Sequence, residues 1–212
     1  MTADAVERES MDFDVVIVGA GPAGLAAAIR IKQLAAETGK DVSVVVLEKG
    51  SEVGAHILSG AVMDPKAMDE LIPDWKEKGC PFETPVKNDT FLVLGPEGSI
   101  PLPVFLMPPM LHNHGMYIGS LGNVARWMAT QAEALGVEIY PGFAASGLTY
   151  REAGSVKGVI AGVVGVAKNG EPGPDYSPGM ELNGKYVLIG EGVRGPLAKV
   201  LICVFKRDKD SQ

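Results

Sequence analysis

The sequence predicts an α/β fold with a mostly parallel sheet, on three observations. A short apolar run at residues 14–18 (DVVIV) leads into a glycine-rich turn and a strong helix former, LAAAI at residues 25–29. A second apolar run at residues 42–47 (VSVVVL) follows a helix stop at Gly39, closing a strand-helix-strand unit whose strands lie parallel. Further on, Leu121, Val124, Ala125, Met128, Ala132 and Leu135 recur at helical spacing, Gly136 stops the helix, and residues 137–140 (VEIY) supply a third parallel strand.

The remaining elements follow in order. Residues 50–88 read as irregular, with a short helix at 65–71 and a path restarted by Pro73, Pro81 and Pro85. Residues 90–94 and 99–102 flank Gly95-Pro96-Glu97-Gly98, the composition of a hairpin turn. Residues 100–111 are apolar, and their prolines forbid a regular helix. Residues 146–167 alternate and turn as a small antiparallel meander, 168–184 read as a polar Gly/Pro loop, 185–190 (KYVLIG) as a strand and 193–204 as a helix. The resulting partition is 12–88 and 119–205 as two parts of one domain, 89–118 as an attached β-rich lobe and 206–212 as a tail.

Composition excludes several classes. With 19 Lys+Arg against 26 Asp+Glu, a formal charge of -7 and no basic stripe, nothing neutralises nucleic-acid phosphates. Cys80 and Cys203 stand far apart and lack the closely spaced partners of zinc or iron-sulfur sites, so no metal is expected. Residues 1–10 carry acidic side chains and no apolar core, unlike a secretory or mitochondrial leader. No stretch approaches the roughly 20 apolar residues of a membrane-spanning helix.

The chemistry concentrates at the first turn. Gly19, Gly21 and Gly24, with Ala20, Pro22 and Ala23 between them, form a G-x-G-x-x-G pattern between strand and helix. The first glycine permits the tight turn, the second lets backbone approach a pyrophosphate, and the third lets helix pack on strand. The helix N-terminus then presents amides and a positive dipole end to the anion. Glu48 ends the next strand, placed to accept hydrogen bonds from an adenosine ribose, and its charge disfavours a 2′-phosphate. The pattern indicates a dinucleotide, FAD or NAD, in a Rossmann-like FAD/NAD(P)-binding domain.

Several longer segments are more specific. Residues 14–30, GAHILSG at 54–60, PDWK at 73–76, NHG at 113–115, QAEALG at 131–136, GMEL at 179–182 and GEGVRG at 190–195 together resemble the N-terminal part of electron transfer flavoprotein-ubiquinone oxidoreductases, in register over residues 14–202. The resemblance implies FAD as the cofactor and an electron-transferring-flavoprotein dehydrogenase type of reaction. In that reaction, electrons from reduced electron transfer flavoprotein pass through an iron-sulfur cluster and FAD to ubiquinone at a membrane surface.

By position, the resemblance assigns Gly19, Ala20, Gly21, Pro22, Ala23, Gly24, Glu48 and Lys49 to the adenosine diphosphate half. It runs Gly54, His56 and Ser59 toward the flavin ring, sets backbone at Ala144 and Ala145 against the adenine, and adds Glu191 and Gly192. Electron transfer needs no acid-base residue, so no catalytic residue is assigned. His56 is read as a packing or hydrogen-bonding histidine, and His112 and His114 as structural loop residues. Departures from the family pattern are Ser120 in place of Arg, a less polar stretch at 160–163, Pro196 and Val200, and residues 203–212, which no longer resemble it.

The resemblance also implies a piece of a longer protein, without the cluster cysteines and without most of the quinone-binding region. Three readings follow: an FAD-binding oxidoreductase module, a non-catalytic truncated FAD-binding fragment, and an FAD-dependent monooxygenase or prenyl reductase of the same fold. The expected partners are electron transfer flavoprotein, ubiquinone and a membrane surface through residues 91–111. The expected location is peripheral, on the cytoplasmic face of a bacterial inner membrane, or cytoplasmic if the chain does not attach.

Overall fold

The computed structural model describes residues 7–58, 60–167, 169–193 and 195–206. In chain order the elements are β1 (Ser10–Val18), α1 (Pro22–Glu37), β2 (Val44–Glu48), β3 (Ala61–Met63), α2 (Lys66–Leu71), β4 (Thr84–Pro85), β5 (Phe91–Gly95), β6 (Gly98–Leu102), β7 (Tyr117–Gly119), α3 (Leu121–Ala134), β8 (Glu138–Pro141), β9 (Ala145–Tyr150), β10 (Val156–Ala161), β11 (Val164–Val166), β12 (Pro172–Ser177), β13 (Met180–Ile189) and α4 (Pro196–Val204). The chain forms two compact units, one from Met1–Ile57 with Ala125–Gln212, the other from Leu58–Val124.

The first unit carries a six-stranded sheet in the order β8-β2-β1-β13-β10-β9. Its first four strands are parallel, and β10 and β9 join antiparallel. Near-continuous apolar runs are what strands covered on both faces require, and Val16, Ile17, Val45 and Val46 are fully buried. Helix α1 packs along β1 and β2 and buries Leu25, Ala28 and Ile29. Each large side chain so buried contributes about 1.5–3 kcal/mol. A second cluster gathers Val16, Val18, Val45, Leu47, Val159, Leu182 and Leu197, with Tyr140, Phe143 and Leu148 against it. Gly39 and Gly136, the two expected helix stops, take φ of +63° and +81°.

The second unit holds the β5-β6 hairpin and a three-stranded sheet ordered β3-β7-β4. The PDWK segment packs its core. Trp75 is buried, donates its ring N–H to Asp69 Oδ1 at 2.7 Å, and meets Phe82 and Tyr117 edge-on at 5.3 and 5.6 Å between centroids. At the hairpin base the Asn113 amide and side chain donate to the two oxygens of Asp89 at 2.8 and 3.0 Å.

Three expectations are corrected. Residues 168–184 are not simply a loop, because β12 pairs with β11 and β13 already begins at Met180. The exposed sequence of β12, PGPDYS, hides an edge strand because neither of its faces is apolar. The meander takes its third strand from the start of β13, not from β11. Residues 50–88 are less irregular than read, since β3 and β4 are strands of only three and two residues, too short to show a period.

Candidate functional site

The glycine turn sits at the C-terminal end of β1, between β2 on one side and β13 on the other. Its three glycines differ in kind. Gly19 has φ of +103°, its N–H donates to Leu47 O at 2.8 Å, and a Cβ there would overlap the Gly190 carbonyl. A Cβ on Gly24 would overlap Gly19 O, so helix and turn touch backbone to backbone. Gly21 is held by neither constraint. Its φ of -77° and ψ of 175° are open to any residue, and a Cβ on it would meet nothing within 4 Å. Two glycines thus serve the fold, and the middle one leaves space in front of the helix.

Helix α1 starts with Gly21 as its N-cap and Pro22 in the first turn, with no side-chain cap hydrogen bond and no acidic residue in that turn. Capping carboxylates and hydroxyls normally satisfy these amides. Here the helix end stays receptive to an external anion.

Glu48 ends β2, and both its oxygens are tied to backbone. Oε2 accepts from Ala20 N at 3.1 Å and Oε1 from Gly50 N at 2.7 Å. A carboxylate offers about four acceptor positions, so two remain for hydroxyl donors. His56 Nδ1 lies 4.0 Å from Glu48 Oε1, and its side chain is 60% exposed, so it is not buried in packing.

The other expected residues are distributed as follows. Lys49 follows Glu48 at the strand end, and Gly54 takes φ of +83° in the next turn. Ala144 accepts Gly162 N at 3.1 Å through its carbonyl, and Ala145 begins β9 opposite Ala161. Gly192 has φ of +81°. The carboxylate of Glu191 turns to α4, where Oε2 accepts the amides of Leu197 and Ala198 at 3.0 and 3.1 Å. Ser59 lies outside the described residues. His112 holds two carbonyls, Val104 O and Met107 O, at 3.0 and 3.1 Å, the structural role read for it.

Two departures from the family pattern acquire local roles. Ser120 precedes α3, and its Oγ accepts Asn123 N at 3.4 Å, a long N-cap bond that no arginine would supply. Pro196 opens α4 at a position where proline is favoured. Sequence reasoning missed Gly190, whose carbonyl backs the Gly19 turn and whose N–H donates to Val18 O at 2.7 Å. The signal was a further glycine directly after a neighbouring strand, Gly190 following β13.

Comparison with known proteins agrees with this fold. The family model for an NAD(P)-binding Rossmann-like domain matches residues 17–86. Electron transfer flavoprotein-ubiquinone oxidoreductase of Pseudomonas aeruginosa is 56% identical over 208 residues, which is 97% of this chain and 38% of that protein. The mitochondrial protein of the same name from Mus musculus is 54% identical over 196 residues, 92% of this chain and 32% of its own length. Among solved structures, a geranylgeranyl bacteriochlorophyll reductase-like protein from Thermoplasma acidophilum superposes with a TM-score of 0.57 at 20% identity, covering 86% of this chain and 40% of that one. CtdE in complex with FAD gives 0.56 at 19% identity, over 91% of this chain and 41% of that one. These structures share the fold. The chain is thus a Rossmann-like dinucleotide-binding fold similar, over nearly all of its own length, to electron transfer flavoprotein-ubiquinone oxidoreductases, of whose bacterial member it spans 38%.

Proposed function

We infer that this chain binds FAD at the Gly19–Gly24 turn and is the FAD-binding part of an oxidoreductase that passes electrons from electron transfer flavoprotein to ubiquinone. One observation carries the reading. Gly21 occupies ordinary helix-cap backbone with open space at its Cβ position, beside an uncapped helix N-terminus, so a side chain is missing where a ligand would need room.

In this reading the α1 amides and dipole hold the diphosphate, and Glu48 takes the ribose hydroxyls with the two acceptor positions it has left. Ala144 and Ala145 line the adenine with backbone, and Lys49, Gly54 and His56 follow the site outward. FAD, when bound, supplies the electron-transfer chemistry. The electron donor and acceptor are those in the names of the relatives.

Comparing two glycine variants tests the reading, because it requires them to fail differently. Gly21→Val should fold as the parent does and lose FAD binding, since its side chain enters open space. Gly24→Ala should lose about 1–3 kcal/mol of stability, since its methyl group overlaps Gly19 O. A folded Gly21→Val that quenches flavin fluorescence at the parent's FAD concentrations contradicts the reading.

A further inference from the structure

We propose that Glu191 is a positioning residue for the dinucleotide turn, acting through backbone without touching the ligand. The proposal rests on the FAD reading above and deepens it. Residue 191 faces two ways. Its backbone belongs to the wall behind the turn, where a Cβ on Gly19 would collide with the Gly190 carbonyl and come within 3.3 Å of Glu191 N. Its side chain reaches forward to α4, where one oxygen accepts two first-turn amides, Leu197 N and Ala198 N.

A carboxylate bonded to two amides at a helix N-terminus is held by charge-assisted bonds and by the helix dipole. Leu197 is buried in the core cluster, so the anchor point is itself fixed. The chain between the wall and the helix carries two glycines, Gly192 at φ +81° and Gly195, and the Glu191 carboxylate ties one end of it to the other. Gly195 must stay a glycine for the same reason, because a Cβ there would overlap the Glu191 side chain.

The consequence reaches the site through packing. Gly190 N donates to Val18 O and its carbonyl presses on Gly19, whose N–H and neighbour Ala20 N bond Leu47 O and Glu48 Oε2. Freeing residues 190–191 loosens the turn that presents the diphosphate amides, and binding then carries the cost of ordering it.

The test uses the full chain with Glu191→Ala, the conservative Glu191→Gln, and Trp75→Phe as a control that removes the Trp75 hydrogen bond to Asp69 in the other compact unit. FAD affinity is read by flavin fluorescence, and hydrogen exchange is read at the amides of Gly19 and Ala20 without ligand. Glu191→Ala should raise the FAD Kd about tenfold and speed exchange at both amides. Glu191→Gln, which keeps an acceptor oxygen, should fall between it and the parent. Trp75→Phe should lower Tm and leave both readouts at parent values. Unchanged turn exchange in Glu191→Ala overturns the proposal, as does equal acceleration in Trp75→Phe. If the parent itself binds no FAD, the FAD reading fails, and the exchange comparison still decides the role of Glu191.

Discussion

At the scale of single residues, identical letters do different work. Gly19 and Gly24 are glycines because protein backbone occupies the space a Cβ would take, whereas Gly21 is a glycine beside open space. Charge shows a similar division. Asp14, in the middle of β1, bonds Lys185 on β13 and both the amide and hydroxyl of Ser43 before β2, stitching three adjacent strands. The Lys185 bond, then the Ser43 amide, hold the Asp14 carboxyl down at about 2. A depressed folded-state pKa stabilises above the unfolded value and is lost as pH falls through the folded one. Asp14→Asn should therefore be less stable than the parent near neutrality, and the two should converge as pH falls below about 4 towards 2. A stability difference that persists undiminished at pH 2 in urea titrations would assign the effect of the substitution to something other than its charge.

At the scale of elements, legibility followed periodicity and length. β1, α1, β2 and α3 were readable because each carries a sustained apolar run or a helical repeat bounded by glycine. β3, β4 and β12 were not, being too short or too exposed to leave a pattern. The glycine turn and Glu48 were visible as a motif, while the wall at Gly190 and the cap made by Glu191 depend on distant segments meeting. The β5-β6 hairpin and the proline-broken turns after it were legible in outline, and the structure adds their exposure. Leu94, Phe105 and Met110 are 77%, 80% and 82% exposed, with Ile100 and Leu106 also bare. Large apolar side chains facing solvent in one patch are the kind of surface that binds a partner or a membrane. No described helix is long and apolar enough to cross a membrane. We propose that this apolar stretch, residues 91–111, enters one leaflet of a bilayer. Attachment should resist high salt, because it rests on apolar burial, and Phe105→Ser with Met110→Ser should weaken it. Liposome flotation decides: a chain that stays in the soluble fraction, or that salt releases, does not use this surface for lipid.

At the scale of the whole molecule, 97% of this chain aligns with 38% of its bacterial relative. The described residues bring together a mostly parallel sheet, a helix end without a side-chain cap, and a carboxylate with acceptor capacity to spare. Electron transfer to ubiquinone belongs to the longer relatives by name. The central claim is accordingly FAD binding, and it is tested most directly by titrating the purified full chain with FAD while following flavin fluorescence and the visible spectrum. The account predicts saturable quenching and a protein-bound yellow flavin that survives gel filtration at high FAD concentration. A folded chain that leaves flavin fluorescence unchanged at high micromolar concentration, and elutes colourless, would contradict it.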